Sequence, residues 1–116
     1  MFYIGNAISF QSLQWTVGSL FYRHVTVEKA RELVSQREPI SYVGHADMAR
    51  VISVMLETDV IASRMNVELR PGDVVLLAQY VGPRLPEGAT ELPSGAKIQF
   101  ILVHVSTWNP VETEVD

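Results

Sequence analysis

The 116-residue chain contains no cysteine. That absence removes disulfides, thiolate metal ligands and cysteine nucleophiles together, and it fits a reducing compartment. Basic residues are outnumbered, nine Lys and Arg against thirteen Asp and Glu, for a net charge of −4. A protein that coats long nucleic acid carries a basic surface, so that role is disfavoured and no stable nucleic-acid partner is expected. A small anionic ligand stays compatible, because a few arginines in one pocket dominate the field there. No apolar run approaches the roughly 20 residues of a membrane helix. The opening Met1-Phe2-Tyr3-Ile4-Gly5 lacks the basic region and long apolar stretch of a secretory signal. The expected location is cytoplasmic, with no membrane partner. Also missing are internal repeats, a phosphate-loop motif, a GxSxG elbow and any His/Asp/Glu cluster with metal-ligand spacing. Neither a metal nor a cofactor is expected.

What is present fits one compact domain. Hydrophobic residues make up 47% of the chain and charged residues 19%, enough to bury a core without staples. Phe2 to Gly5 reads as a short strand. Asn6 to Leu13 reads as a turn and a short helix with Ser9 as its cap. Ser19 to Val25 carries strand formers. Thr26 is a good N-cap for a helix to about Gln36, with Glu28 well placed in its first turn. Val27, Ala30, Leu33 and Val34 form its inner face, and Glu38-Pro39 ends it. Ile40 to Val43 reads as a strand. Met48, Val51, Ile52, Met55 and Leu56 then recur at helical spacing in one apolar stripe. Val67 to Leu69 and Val74 to Tyr80 read as two strands around Arg70-Pro71-Gly72-Asp73, whose central Pro-Gly is a type II turn signature. Residues 82–96 form a Gly/Pro-rich loop, Ile98 to Val105 a last strand, and the acidic segment after residue 106 a loose tail. The order implies an α/β or α+β domain over residues 1–106, a mixed sheet with helices packed on it.

The most informative junction is Tyr42-Val43-Gly44-His45. His45 falls between a strand and a helix N-terminus, where free N–H groups favour an anion. An imidazole beside a phosphate there is placed to protonate a leaving oxygen. Position alone leaves a helix-capping or partly buried structural histidine open. Arg84 and Glu87 sit in a loop shaped by Gly82, Pro83, Pro86 and Gly88. Arg84 suits bidentate phosphate binding and Glu87 suits accepting a ribose hydroxyl proton, but an Arg84–Glu87 surface pair is equally open. Arg64, between helix and strand, is a further phosphate ligand or a plain surface arginine. Asn6 and Ser9 follow the first strand, at the sheet edge where ligands often bind; Asn6 serves equally as a turn residue. His24 and His104 lie in strands and read as structural or surface residues.

Taken together, these segments resemble the small anti-CRISPR ring nucleases of archaeal viruses and phages and their bacterial YddF-like relatives on mobile elements. The likeness rests on Tyr3-Ile4-Gly5-Asn6-Ala7-Ile8-Ser9, on Val43-Gly44-His45, on Arg64-Met65-Asn66-Val67 running into Arg70-Pro71-Gly72-Asp73, and on Arg84-Leu85-Pro86-Glu87-Gly88. The ending Leu102-Val103-His104-Val105 also fits. The resemblance implies a homodimer that cleaves cyclic tetra-adenylate, the second messenger of type III CRISPR systems, without a metal, to linear di-adenylate with a 2′,3′-cyclic phosphate. It implies His45, Arg84 and Glu87 as catalytic residues, and Asn6, Ser9, Gly44, Arg64, Gln79 and Gly88 as ligand contacts. Two other classes fit the residues: a dimer that binds a cyclic nucleotide without cutting it, and a DNA-associated accessory protein of a mobile element. The chain departs from the family after the histidine, where Ala46-Asp47-Met48-Ala49 replaces hydroxyl residues.

Overall fold

Cross-strand rows of alternating apolar residues organise the molecule. A computed structural model describes residues 1–13 and 18–107; of the expected tail, residues 107–116, all but Thr107 lie outside the described residues. The elements run β1 (Phe2–Gly5), a 3-10 turn (Phe10–Ser12), β2 (Ser19–Val25), α1 (Val27–Gln36), β3 (Ile40–Ser41), α2 (Ala46–Leu56), β4 (Val74–Val81) and β5 (Lys97–Ser106). They form a mixed five-stranded sheet in the order β2-β5-β4-β1-β3. Strand β1 runs parallel to both β3 and β4, while β5 is antiparallel to β4 and to β2. The result is a single α+β domain.

The register sorts side chains onto two faces. Ile4 stands opposite Leu76, and Leu76 opposite Leu102; this row and its neighbours pack against Ala30, Val34, Val51, Ile52 and Leu56 of the helices. One residue along, Tyr3, Val75 and Val103 form the adjacent row and face the other way, as the period-2 pleat dictates. There Val67 and Leu69 cover them.

Local signals set the helices as the sequence implies. Thr26 Oγ1 accepts from the Lys29 N–H at 3.1 Å, and the apolar stripe of α2 turns Met48, Val51, Ile52 and Leu56 inward. The 3-10 turn is capped by Ser9, whose Oγ accepts from the Gln11 N–H. At the Pro71-Gly72 turn Gly72 has φ 95° and the Asp73 N–H donates to the Arg70 carbonyl at 2.9 Å. The buried Asp73 carboxylate accepts in return from the Arg70 N–H.

Two expectations need correction. Val67 to Leu69 is not a strand; among the described residues its β-pairing is limited to one isolated parallel bridge, Leu69 with Leu13. Its alternation comes from Val67 and Leu69 plugging the second face of the sheet while Glu68 points to solvent. The strand expected at Ile40 to Val43 stops at Ser41, because the Val43 carbonyl is taken by the Ser63 N–H at 2.8 Å and not by a neighbouring strand.

The stem of the 82–96 loop closes at a tight spot. Gly82 has φ 146°, and a Cβ there would come within 2.8 Å of the Ala96 Cα. Both the backbone conformation and the space exclude a side chain. Gly82→Ala is expected to destabilise the fold by about 1–3 kcal/mol, read as a lowered denaturation midpoint; an unchanged midpoint would refute the packing argument.

Candidate functional site

Three loops leave the sheet from the carboxyl ends of the parallel strands β1, β3 and β4, the edge at which open α/β sheets commonly hold ligands. The β1 loop carries Asn6 and Ser9, and the β3 loop carries Gly44 and His45. A crossing segment after α2 brings Arg64 beside them. Its Ser63 N–H donates to the Val43 carbonyl, and Arg64 Nε donates to the Gly44 carbonyl at 3.1 Å.

These residues share one open basin of about 620 Å³, lined by Asn6, Ser9, Gly44, His45 and Arg64 together with Tyr42 and the 65–68 segment. His45 is the N-cap of α2, but its side chain makes no capping hydrogen bond. It is exposed, so the capping and buried readings of this histidine both fail. The helix therefore opens with its first N–H groups uncapped by that side chain, a favourable place for negative charge. With its Nε committed to Gly44, Arg64 keeps its two terminal nitrogens without a hydrogen bond among the described residues.

Tyr42 was not singled out by the sequence. Its hydroxyl donates to the Ala7 carbonyl at 2.8 Å, and burial pushes its phenol up to about 12. The hydroxyl is thus a fixed donor throughout the neutral range. Its ring lies on Gly5, where a Cβ would fall 2.1 Å from a ring carbon.

Residues 2–100 match the family described as STIV B116-like. The chain belongs to that family. Among solved structures, the STIV B116-like chain is similar to B116 of Sulfolobus turreted icosahedral virus (STIV), with a TM-score of 0.76 and 22% identity over 89% of this chain and 97% of that one. At that identity the likeness is one of fold. A comparison with curated protein sequences finds no match.

The remaining expected residues of this STIV B116-like chain stand apart from the basin. Arg84 and Glu87 line a separate cavity of about 450 Å³ with Leu85, Pro86 and Asp47. Gly5 ends β1 opposite Leu77, whereas β4 continues to Val81; the loop that follows folds back to Asp47 in the first turn of α2, on the side away from the basin. Arg84 and Glu87 form no ion pair with each other among the described residues. Gln79 is exposed on β4, and it and Gly88, at φ 78°, line neither cavity.

The loop is held at both ends. Tyr80 donates its hydroxyl to the Pro83 carbonyl, and Arg50 reaches from α2 to the Ala89 carbonyl at 3.4 Å. The same Arg50 binds the Asp47 carboxylate at 2.9 Å. Asp47 thus enters the site already paired, and its charge falls on the loop side of α2 and not in the basin.

Among the described residues no group of three or more His, Asp or Glu side chains could hold a metal ion, and no helix is long and apolar enough to cross a membrane. His24 and His104 are exposed on β2 and β5. A third cavity, an apolar groove of about 270 Å³, runs over the sheet beside the basin, lined by Ile8, Phe10, Leu13, Leu20, Tyr22 and neighbours from β4 and β5. Phe10 is 87% and Tyr22 70% exposed.

Proposed function

We propose that the protein is a metal-independent ring nuclease that opens cyclic tetra-adenylate and so counteracts type III CRISPR signalling. The observation that carries the reading is the gathering of Asn6, Ser9, Gly44, His45 and Arg64 around one basin, from three segments far apart in the chain. The motif resemblance names those same residues. The basin lies within the ~300–1,000 Å³ of small-ligand sites, and a ring of four nucleotides is larger than that. Two copies about a two-fold axis would each hold half of the ring, which suits a symmetric ligand.

In this reading the ribose 2′-hydroxyl attacks the adjacent phosphorus. The P–O2′ bond forms, the P–O5′ bond breaks, and the products carry a 2′,3′-cyclic phosphate and a 5′-hydroxyl. Glu87 takes the 2′-hydroxyl proton, His45 delivers one to the departing 5′-oxygen, and Arg84 with Arg64 neutralises the charge on the phosphorane. No nucleophile from the protein is needed, so positioning and electrostatics carry the catalysis. The test is purified protein incubated with cyclic tetra-adenylate and EDTA. Linear di-adenylate is the expected product, and an intact ring after prolonged incubation defeats the proposal.

One observation favours a second reading, a dimer that sequesters or senses the ring without cutting it. Within one chain Arg84 and Glu87 are not in the basin of His45. Tight binding in calorimetry with the ligand recovered unchanged would decide for that reading.

The homodimer requires a face. The turn Ser9–Ser12 separates the basin from the apolar groove, with Ser9, Gln11 and Ser12 on one side and Phe10 on the other. A second copy seated in the groove lies next to the basin, as a shared ring demands. Tyr22→Glu is therefore expected to give monomers in sedimentation and to lose ring opening. Dimers that persist in this variant and in Leu20→Glu place the interface elsewhere.

A further inference from the structure

The two walls of the basin leave different strands, and one side chain joins them. Asn6 and Ser9 follow β1, while Gly44 and His45 follow β3. Tyr42 belongs to the second wall by sequence and to the first by contact. Its backbone N–H extends the β1–β3 pairing by donating to the Ile4 carbonyl at 2.9 Å. Its ring covers Gly5, leaving no room for a Cβ. An edge-to-face contact with Tyr3, at 6.2 Å between centroids, fixes the ring from the side. Its hydroxyl then reaches past Gly5 to the Ala7 carbonyl at 2.8 Å.

Ala7 lies between Asn6 and Ser9, in a stretch with no regular secondary structure before the 3-10 turn. Ala7 is itself exposed, so apolar burial does little to hold it. Ile8 packs on the second face of the sheet and the Leu69 N–H donates to the Ser12 carbonyl at 2.7 Å; between β1 and those contacts, the Tyr42 hydroxyl ties Ala7 to the His45 wall.

We propose that Tyr42 is a positioning residue for ligand binding, a brace that holds the Asn6–Ser9 loop at the width the ligand needs, with Gly5 as the seat that lets its ring lie flat. This rests on the functional reading above. Tyr42 touches no reacting atom in this scheme. It acts through Asn6 and Ser9, so its contribution falls on affinity and not on the chemical step.

The deciding variant is Tyr42→Phe, which keeps the ring on Gly5 and deletes only the tether. Backbone amide order parameters at residues 6–9 of the ligand-free protein should fall below about 0.6, the mobile range, while those in β4 and β5 stay unchanged; motion is the readout because the N–H groups of residues 6–9 donate no hydrogen bond among the described residues. The dissociation constant for cyclic tetra-adenylate should rise by about five- to tenfold, as expected for one lost hydrogen bond, with kcat within about twofold of wild type. Unchanged order parameters at residues 6–9 overturn the brace. Lowered order parameters with unchanged affinity, or a loss confined to kcat, overturn the positioning role. If the wild type binds no cyclic tetra-adenylate, the functional reading fails and the binding role with it, while the order parameters still decide whether Tyr42 braces the loop.

Discussion

Under the proposed function, replacing His45 by alanine is expected to lower the rate of ring opening by about 10²–10⁴-fold, the contribution of a general acid, and to leave ligand affinity close to that of wild type. The argument starts from what His45 does not do. It makes no capping bond to α2 and it is exposed at the rim of the basin, so its loss opens no cavity and strands no buried partner. Stability should therefore hold, as it does for surface changes away from packed features. The fall in rate reports on the proton delivered to the 5′-oxygen. A substrate whose departing 5′ atom is sulfur needs no such proton, because a thiolate is a far better leaving group than an alkoxide. The His45→Ala variant should regain most of its lost rate on that substrate. If the variant is equally slow on both linkages, His45 acts by binding or shaping the site and the acid role fails. If it is as fast as wild type on the natural linkage, the histidine has no role at all.

Where the sequence was legible, a local rule was at work. Thr26 caps α1 because its hydroxyl reaches an N–H three residues on, and Pro71-Gly72 forces the turn before β4 because only φ near 95° closes it. The stripe of α2 is visible because burial on a helix repeats at helical spacing. The Val67–Leu69 stretch misleads for an equally physical reason. Burying alternate side chains produces the same pattern whether or not the backbone pairs, and here it covers a sheet instead of joining one. The site divides along the same line. His45 is legible from its junction, since strand, glycine and helix start are adjacent in sequence. Arg64 meeting Gly44, twenty residues away, depends on how the segment after α2 crosses the sheet edge, and no local pattern encodes that. That Arg84 meets Asp47 on the loop side of α2, and not the basin of His45, depends on how the loop after β4 folds back, which no local pattern encodes. The seat of the Tyr42 ring on Gly5 is not legible locally, because a tyrosine before a glycine-histidine junction looks like any strand residue until its partner strand is known.

Arginine 84 should behave unlike Arg64. Arg84→Ala is expected to reduce the rate of ring opening by about 10²–10³-fold, the loss typical when one preorganised donor to a developing oxyanion is removed, with the dissociation constant changed by less than about threefold. Arg64→Ala should show its loss mainly in binding. The difference follows from where the two cations stand. Arg64 is part of the basin before any ligand arrives, anchored through its Nε to Gly44, so its terminal nitrogens contribute to the ground-state complex as much as to the transition state. Arg84 lies in the neighbouring cavity with Glu87, on a loop tethered at Pro83 by Tyr80 and at Ala89 by Arg50. Between those tethers it has no ion pair among the described residues. Its charge can meet the phosphate only when the loop closes on a bound ring or when the loop of a second copy comes over it. In this reading the contact is completed only as the phosphorane forms, and an interaction made at that stage raises kcat and leaves affinity nearly alone. Arg84→Lys should recover part of the rate, because the charge returns without the planar two-donor fork. A large rise in the dissociation constant of Arg84→Ala, with kcat near wild type, would place Arg84 among the ground-state contacts and sever the link between this loop and the chemical step.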